Sequence, residues 1–182
     1  MKYYRTFRNY MECFLVFSLS GWLYEVIWCG LIEQNMGFIN RGFLFGPWLP
    51  IYGFGMIIIL ELLKRFRIRN PWLVFAFGVA VAVVAELIAS YLMEALIGEF
   101  LWDYRGYFMN FQGRIALKPD LMFGFLILAG VFIVQPFLAR IQDRYDDSRI
   151  HNLSFWLVLI LFIIDLIARI PLGSNFTGAV GF

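Results

Sequence analysis

Between Trp72 and Ile97 the chain reads WLVFAFGVAVAVVAELIASYLMEALI, an apolar run whose only strongly polar side chains are Glu86, Ser90 and Glu94. A helix rises about 1.5 Å per residue and the hydrocarbon core of a bilayer is about 30 Å thick, so roughly 20 such residues cross it. This run is long enough, and it has the composition of a membrane span. Three further runs meet the same test, at about residues 11–31, 121–138 and 153–170. A fifth, at about 43–63, is irregular. Gly42, Gly46, Pro47, Pro50, Gly53 and Gly55 crowd its first part, and only Ile51 to Leu63 reads as unbroken helix. That remainder covers about 20 Å, short of a crossing. The Gly/Pro stretch is therefore expected to complete the depth as a broken or re-entrant segment lining a cavity, because backbone N–H and C=O groups at membrane depth need protein or water as partners.

The whole composition agrees. Of 182 residues, 62% are hydrophobic, 20% aromatic and 15% charged, with a mean hydropathy of +0.75. Soluble domains sit nearer 45 to 50% apolar and about 25% charged. A disordered chain is excluded and a water-soluble globule is disfavoured. Fifteen Lys and Arg against thirteen Asp and Glu leave a net charge of +2, which lacks the concentrated basic face of a nucleic-acid binder. The expectation is an all-α, polytopic membrane helix bundle of about five transmembrane helices, forming one domain over residues 1–182. Cys13 and Cys29 fall in the first run about 24 Å apart on a continuous helix, too far for a disulfide. The basic start followed by an apolar run resembles a signal peptide, but 11–31 is too long for one and lacks a small-residue cleavage site, so it reads as a retained anchor.

Lysine and arginine set the orientation. With five crossings and the N-terminus inside, the inner segments hold Lys2, Arg5, Arg8, Lys64, Arg65, Arg67, Arg69, Arg140, Arg144 and Arg149. Outside lie Arg41, Arg105, Arg114 and Lys118. The positive-inside rule places the N-terminus in the cytoplasm and the C-terminus outside. If the Gly/Pro segment does not cross, everything after it inverts. The longest outer loop, Gly98 to Pro119, mixes Trp102, Tyr104, Tyr107, Phe108 and Phe111 with Asp103, Arg105 and Arg114. Such a loop lies on the membrane interface or folds back over the helices.

An ionised side chain near the bilayer centre costs at least about 2.5 to 3.5 kcal/mol, so each needs a partner or a purpose. Glu25 and Glu86 each lie about 21 Å along their helices, in the outer half, and neither has a basic residue at i±3 or i±4. Arg41 and Arg114, in the outer loops, are the expected tertiary partners, with Asp103 above the same region. On the first run Ser18, Gly21, Trp22 and Glu25 share a stripe. On the third, Glu86, Ser90 and Glu94 recur at i+4. Asp165 and Arg169, opposite in sign at i,i+4, read as a self-neutralising pair. Glu61, beside Lys64 and Arg65 at a helix end, reads as interfacial. His151, the sole histidine, reads as solvated and remote from the acids. This argues against histidine acid–base chemistry and most transition-metal sites. No metal ligand set, no cofactor site and no phosphate loop of the form G-x-x-x-x-G-K-[ST] is expected.

Several motifs belong together: Gly21-Trp22-Leu23-Tyr24-Glu25, Asn40-Arg41-Gly42-Phe43-Leu44-Phe45-Gly46-Pro47, Pro50-Ile51-Tyr52-Gly53, Glu86 with Ser90-Tyr91-Leu92-Met93-Glu94, Trp102-Asp103-Tyr104, and Asn110 with Gly113-Arg114-Ile115. In combination they closely resemble the bacterial ABC-transporter type IV permease family, the CmpB-like integral membrane proteins. Met109 stands where that pattern has the phenylalanine of a Phe-Asn pair. The resemblance implies a permease of the bacterial inner membrane and adds Asn40 to the binding set of Glu25, Arg41, Glu86, Asp103 and Arg114. The two inner loops are short, which implies work as a homo-oligomer or with partner subunits.

Three functions compete. In the first, the acids and arginines bind a solute or ion in an outward cavity beside the broken segment, as discontinuous transporter helices do. In the second, a membrane-embedded enzyme holds a lipid or lipid-linked phosphate on Arg41 and Arg114, with Glu25 or Glu86 as general acid or base. The third is a structural or regulatory subunit. The partners expected are membrane lipids and a small solute or lipid ligand, and no nucleic acid.

Overall fold

The computed structural model describes residues 2–33, 40, 44–98 and 102–169. Its elements are α1 (Lys2–Leu23), a π-helical stretch (Tyr24–Glu33), α2 (Pro50–Phe66), α3 (Pro71–Ile97), α4 (Leu117–Ala129), a second π-helical stretch (Gly130–Val134), α5 (Gln135–Arg144) and α6 (Arg149–Arg169). Among the described residues the only β feature is an isolated antiparallel bridge between Phe111 and Ile115. The protein is all-helical.

Among the described residues, four helices are long and apolar enough to span a bilayer: Tyr3–Trp28, Pro71–Ala95, Leu117–Arg144 and Arg149–Arg169. Each contains most of one expected run, yet the first begins well before residue 11, because Arg5, Arg8 and Glu12 find polar partners on α5 and α6 and so belong to the helix. The irregular run is realised as α2, of 17 residues, about 26 Å long. Residues 44–49 before it are non-helical; Gly42 and Phe43 lie outside the described residues. The start of α3 is explained by sequence: Pro71 occupies the first turn, and the Asn70 side chain accepts from the N–H of Trp72 at 2.9 Å, satisfying a donor that has no helical partner.

The described residues form two compact units. One holds α1, α2 as far as Ile57, α5 and α6. Its apolar core is Phe14, Leu15, Leu44, Phe155, Leu159 and Phe162. On α6 the buried Phe155, Leu159 and Phe162 recur at helical spacing, while Leu153, Leu157, Ile160, Ile164 and Ile167 stand exposed on the remaining surface. Such an outer face suits lipid, where an exposed apolar side chain loses nothing. Two glycines let α1 and α2 approach. A Cβ on Gly53 would meet the Phe14 carbonyl oxygen and Ser18 Oγ at 2.5 Å, and one on Gly21 would overlap the Tyr52 ring.

The other unit holds α2 from Ile58, α3, α4 and the π-helical stretch that ends at Val134. Ile59, Leu63, Val74 and Ile127 are its core, and the Phe75 and Phe125 rings pack 5.0 Å apart between α3 and α4.

Candidate functional site

In the α3–α4 unit the described part of the loop between α3 and α4, residues 102–116, folds back on α3. Tyr104 donates its N–H to the Gly113 carbonyl at 2.8 Å, Asn110 donates to the carbonyls of Arg105 and Tyr107, and the Trp102 indole donates to the Arg114 carbonyl at 2.8 Å. This turn turns Arg114 inward, to 5% exposure. Its guanidinium donates to Ser90 Oγ at 2.9 Å and to Glu94 at 2.5 Å, and it lies 3.9 Å from the centre of the Tyr91 ring. Ion pair, hydrogen bond and ring face together compensate a desolvated cation. Glu86, one helical turn before Ser90, is 9% exposed and accepts from the Tyr104 hydroxyl at 3.2 Å. Asp120 is buried in the first turn of α4, at 6% exposure.

Asp103 takes no part in that cluster among its known contacts. Its carboxylate accepts from the backbone N–H and the guanidinium of Arg105. The side-chain bond from Arg105, helped by the backbone one, holds this exposed carboxyl below its ordinary range.

The other predicted residues belong to the α1–α6 unit. The π-helical stretch opens at Tyr24, and Glu25 accepts from the Tyr52 hydroxyl at 2.6 Å. The stripe of Ser18, Gly21, Trp22 and Glu25 thus faces α2 and the residues before it. Ser18 accepts at its carbonyl from the Leu49 N–H at 3.0 Å, and Trp22 donates to Asn40 Oδ1 at 2.7 Å. Asn40 in turn donates to the carbonyls of Leu44 and Phe45. Asp165 accepts from the consecutive N–H groups of Phe45 (3.0 Å) and Gly46 (2.8 Å), and the Arg169 guanidinium lies 5.2 Å from the Phe45 ring centre. The i,i+4 reading of Asp165 overlooked this task of holding irregular backbone. Arg41 lies outside the described residues.

Two further outcomes depart from the sequence reading. His151 is neither solvated nor remote from acids: its side chain is 16% exposed, with Nε2 2.9 Å from Glu12 Oε1 and Nδ1 2.9 Å from the Tyr145 carbonyl. The α5–α6 connection is short enough to return α6 beside α1, which brings Glu12 to the histidine. Asp120, Tyr104 and Tyr52 were also missed. The signal for Asp120 was a carboxylate at the start of an apolar run, directly before Leu121.

These observations define an all-helical, membrane-embedded protein with buried charge on its spans. The chain belongs to the family described as "Putative ABC-transporter type IV", whose model matches residues 12–170. No curated protein and no solved structure matches it.

Proposed function

We propose that the chain is a multi-pass membrane transport or solute-binding protein, a permease of the inner membrane, with its polar site in the outer half of the bundle. The N-terminus is cytoplasmic and the C-terminus outside, residues 1–182 form one membrane domain, and α2 with the irregular residues before it makes the fifth, re-entrant crossing. The bonding of residues 44–49 by Ser18, Asn40 and Asp165 supports that last point, since non-helical backbone at membrane depth is tolerated where protein satisfies it. Glu86, Asp103 and Arg114 in one unit, and Glu25, Asn40 and Arg41 in the other, are the proposed solute-binding residues. Membrane lipids surround it, and further copies or partner subunits complete the working assembly.

The observation that carries this reading is Arg114, desolvated beside the acid stripe of an apolar helix. Intramembrane charges are expensive and mark solute or ion pathways. The lipid-phosphate reading requires arginines that reach a phosphate, whereas Arg114 already holds Ser90 and Glu94. Uptake of a labelled panel of small polar solutes into proteoliposomes of the full chain tests the proposal. Wild type is expected to accumulate at least one solute, and Glu86→Gln and Arg41→Lys to lose that uptake while staying folded and monodisperse. No uptake by wild type, or equal uptake by both variants, contradicts it and favours the structural-subunit reading.

A further inference from the structure

We propose that the turn between α2 and α3 is a binding surface for anionic phospholipids, with Arg65, Arg67 and Arg69 on the headgroup phosphates and Phe66 and Trp72 in the membrane interface beside them. The turn belongs wholly to the unit that holds α3, and α3 is long and apolar enough to cross a bilayer from Pro71 onward. The residues just before Pro71 therefore lie at a membrane surface, whichever leaflet that is. Lys64, Arg65, Arg67 and Arg69 crowd into this short stretch, and all four are exposed. Lys64 has Glu61 at 4.0 Å, whereas the three arginines have no ion pair among the described residues. Between and beside them Phe66 is 61% and Trp72 82% exposed.

The turn is fixed at both ends. The Ile68 N–H donates to the Leu63 carbonyl at 2.9 Å and the Arg67 N–H to the Lys64 carbonyl at 3.3 Å, the two bonds that close a helix when the residue after its cap is left-handed. Ile68 then packs on the core of Leu63 and Val74, and Asn70 with Pro71 starts α3. Arg67 is that left-handed residue, at φ 56°. Glycine is the usual occupant because it takes this conformation without strain, so an arginine here costs the fold. Strain of this kind persists where function uses it, and a cation held at such cost between two further unpaired arginines is explained by an anion outside the protein. Phosphate fits the guanidinium fork through paired hydrogen bonds, and basic clusters beside a membrane span attract anionic lipid. Soluble phosphate offers the same oxygens but gives Phe66 and Trp72 nothing to enter, whereas aromatic rings of this kind settle at headgroup depth. This inference goes beyond the transport reading and does not depend on it.

The test is thermal unfolding of the full chain in neutral detergent, titrated with dioctanoyl phosphatidylglycerol, with dioctanoyl phosphatidylcholine, or with inorganic phosphate; the rise in unfolding temperature gives each apparent affinity. Wild type is expected to bind phosphatidylglycerol about tenfold or more tighter than phosphatidylcholine, with the preference shrinking as salt is raised. Arg67→Gly is the discriminating variant. Without lipid it should unfold at or above the wild-type temperature, because glycine relieves the left-handed strain, and yet lose about fivefold of the preference. The triple variant Arg65→Gln, Arg67→Gly, Arg69→Gln should lose the preference altogether, and Arg105→Ala, in the loop beyond the other end of α3, should keep it. Should the triple variant fail to fold, Arg67→Gly decides. Equal affinity of wild type for the two lipids, or a preference unchanged in Arg67→Gly, overturns the proposal. Inorganic phosphate that raises the unfolding temperature as much as phosphatidylglycerol overturns it as well, in favour of a soluble anion.

Discussion

Each unit buries an arginine, and the two differ in how that arginine is held. At the start of α1, Arg8 is 1% exposed, donating to Asp146 at 2.5 Å and to the Asn152 side chain at 2.8 Å, with Glu12 3.6 Å away. Arg5 pairs with Asp143 and Asp146, and Gln142 donates to Glu12 at 2.9 Å. Three acids thus meet two arginines and the imidazole of His151, whose two ring nitrogens lie 2.9 Å from Glu12 and from the Tyr145 carbonyl. Around Arg114, by contrast, stand a carboxylate, a hydroxyl and a ring face, those of Glu94, Ser90 and Tyr91. The first network fastens α1 to α5, α6 and the turn between them through several polar contacts; the second holds a desolvated cation against an apolar helix, where intramembrane charge marks solute or ion pathways. We therefore read the first as structural and the second as functional.

The comparison breaks most readily at Arg8. Replacing it by alanine strands Glu12 and Asp146, and removing one partner of a buried pair costs about 3 to 5 kcal/mol. The 25% exposure of the Asp146 side chain places the loss near the lower end. Thermal unfolding in detergent measures it, and a loss below about 1 kcal/mol, typical of surface pairs, contradicts the structural role.

Next in size is Gly53→Val, which forces side-chain atoms into the Phe14 carbonyl and Ser18. Overpacking of this kind costs about 1 to 3 kcal/mol. Gly55→Ala, where a Cβ meets nothing within 4 Å, is the control expected to unfold at or above the wild-type temperature. Equal effects at both positions contradict the close approach of α1 and α2.

The spans were legible because a 20-residue apolar run has one solution in lipid, and the acid stripe on α3 was legible because i+4 spacing fixes a helix face. Pairing across elements was not legible. Arg8 with Asp146 and Glu12 with His151 join residues far apart in sequence, and nothing local distinguishes a loop aspartate that is solvated from one that is bonded. The same holds for Asp165, whose partners are backbone amides with no residue-type signature. Position misled at α1, where charged residues were assigned to a tail because hydropathy averages away a polar stripe along one face of a helix.

The smallest effect belongs to Asp103 and Arg105, in the loop between α3 and α4. Arg105→Ala should leave the unfolding temperature of the protein unchanged at neutral pH. Because the bond from Arg105 holds the Asp103 carboxyl below its ordinary range, what it contributes is present above that range, near pH 4, and fades as acid protonates the folded form. Tryptophan fluorescence from Trp102, followed in acid, should therefore change at lower pH in wild type than in Arg105→Ala. Coincident curves contradict the pairing.

Glu86→Gln separates the two regions most directly. It replaces a buried carboxylate by a neutral amide that can still accept from Tyr104. Thermal unfolding of the full chain in lipid nanodiscs at neutral pH should therefore show the variant at or above the wild-type temperature, alongside the large drop of Arg8→Ala. A fall for Glu86→Gln as deep as that for Arg8→Ala would mean that Glu86 fastens the fold as Arg8 does, and the assignment of function to it would be wrong.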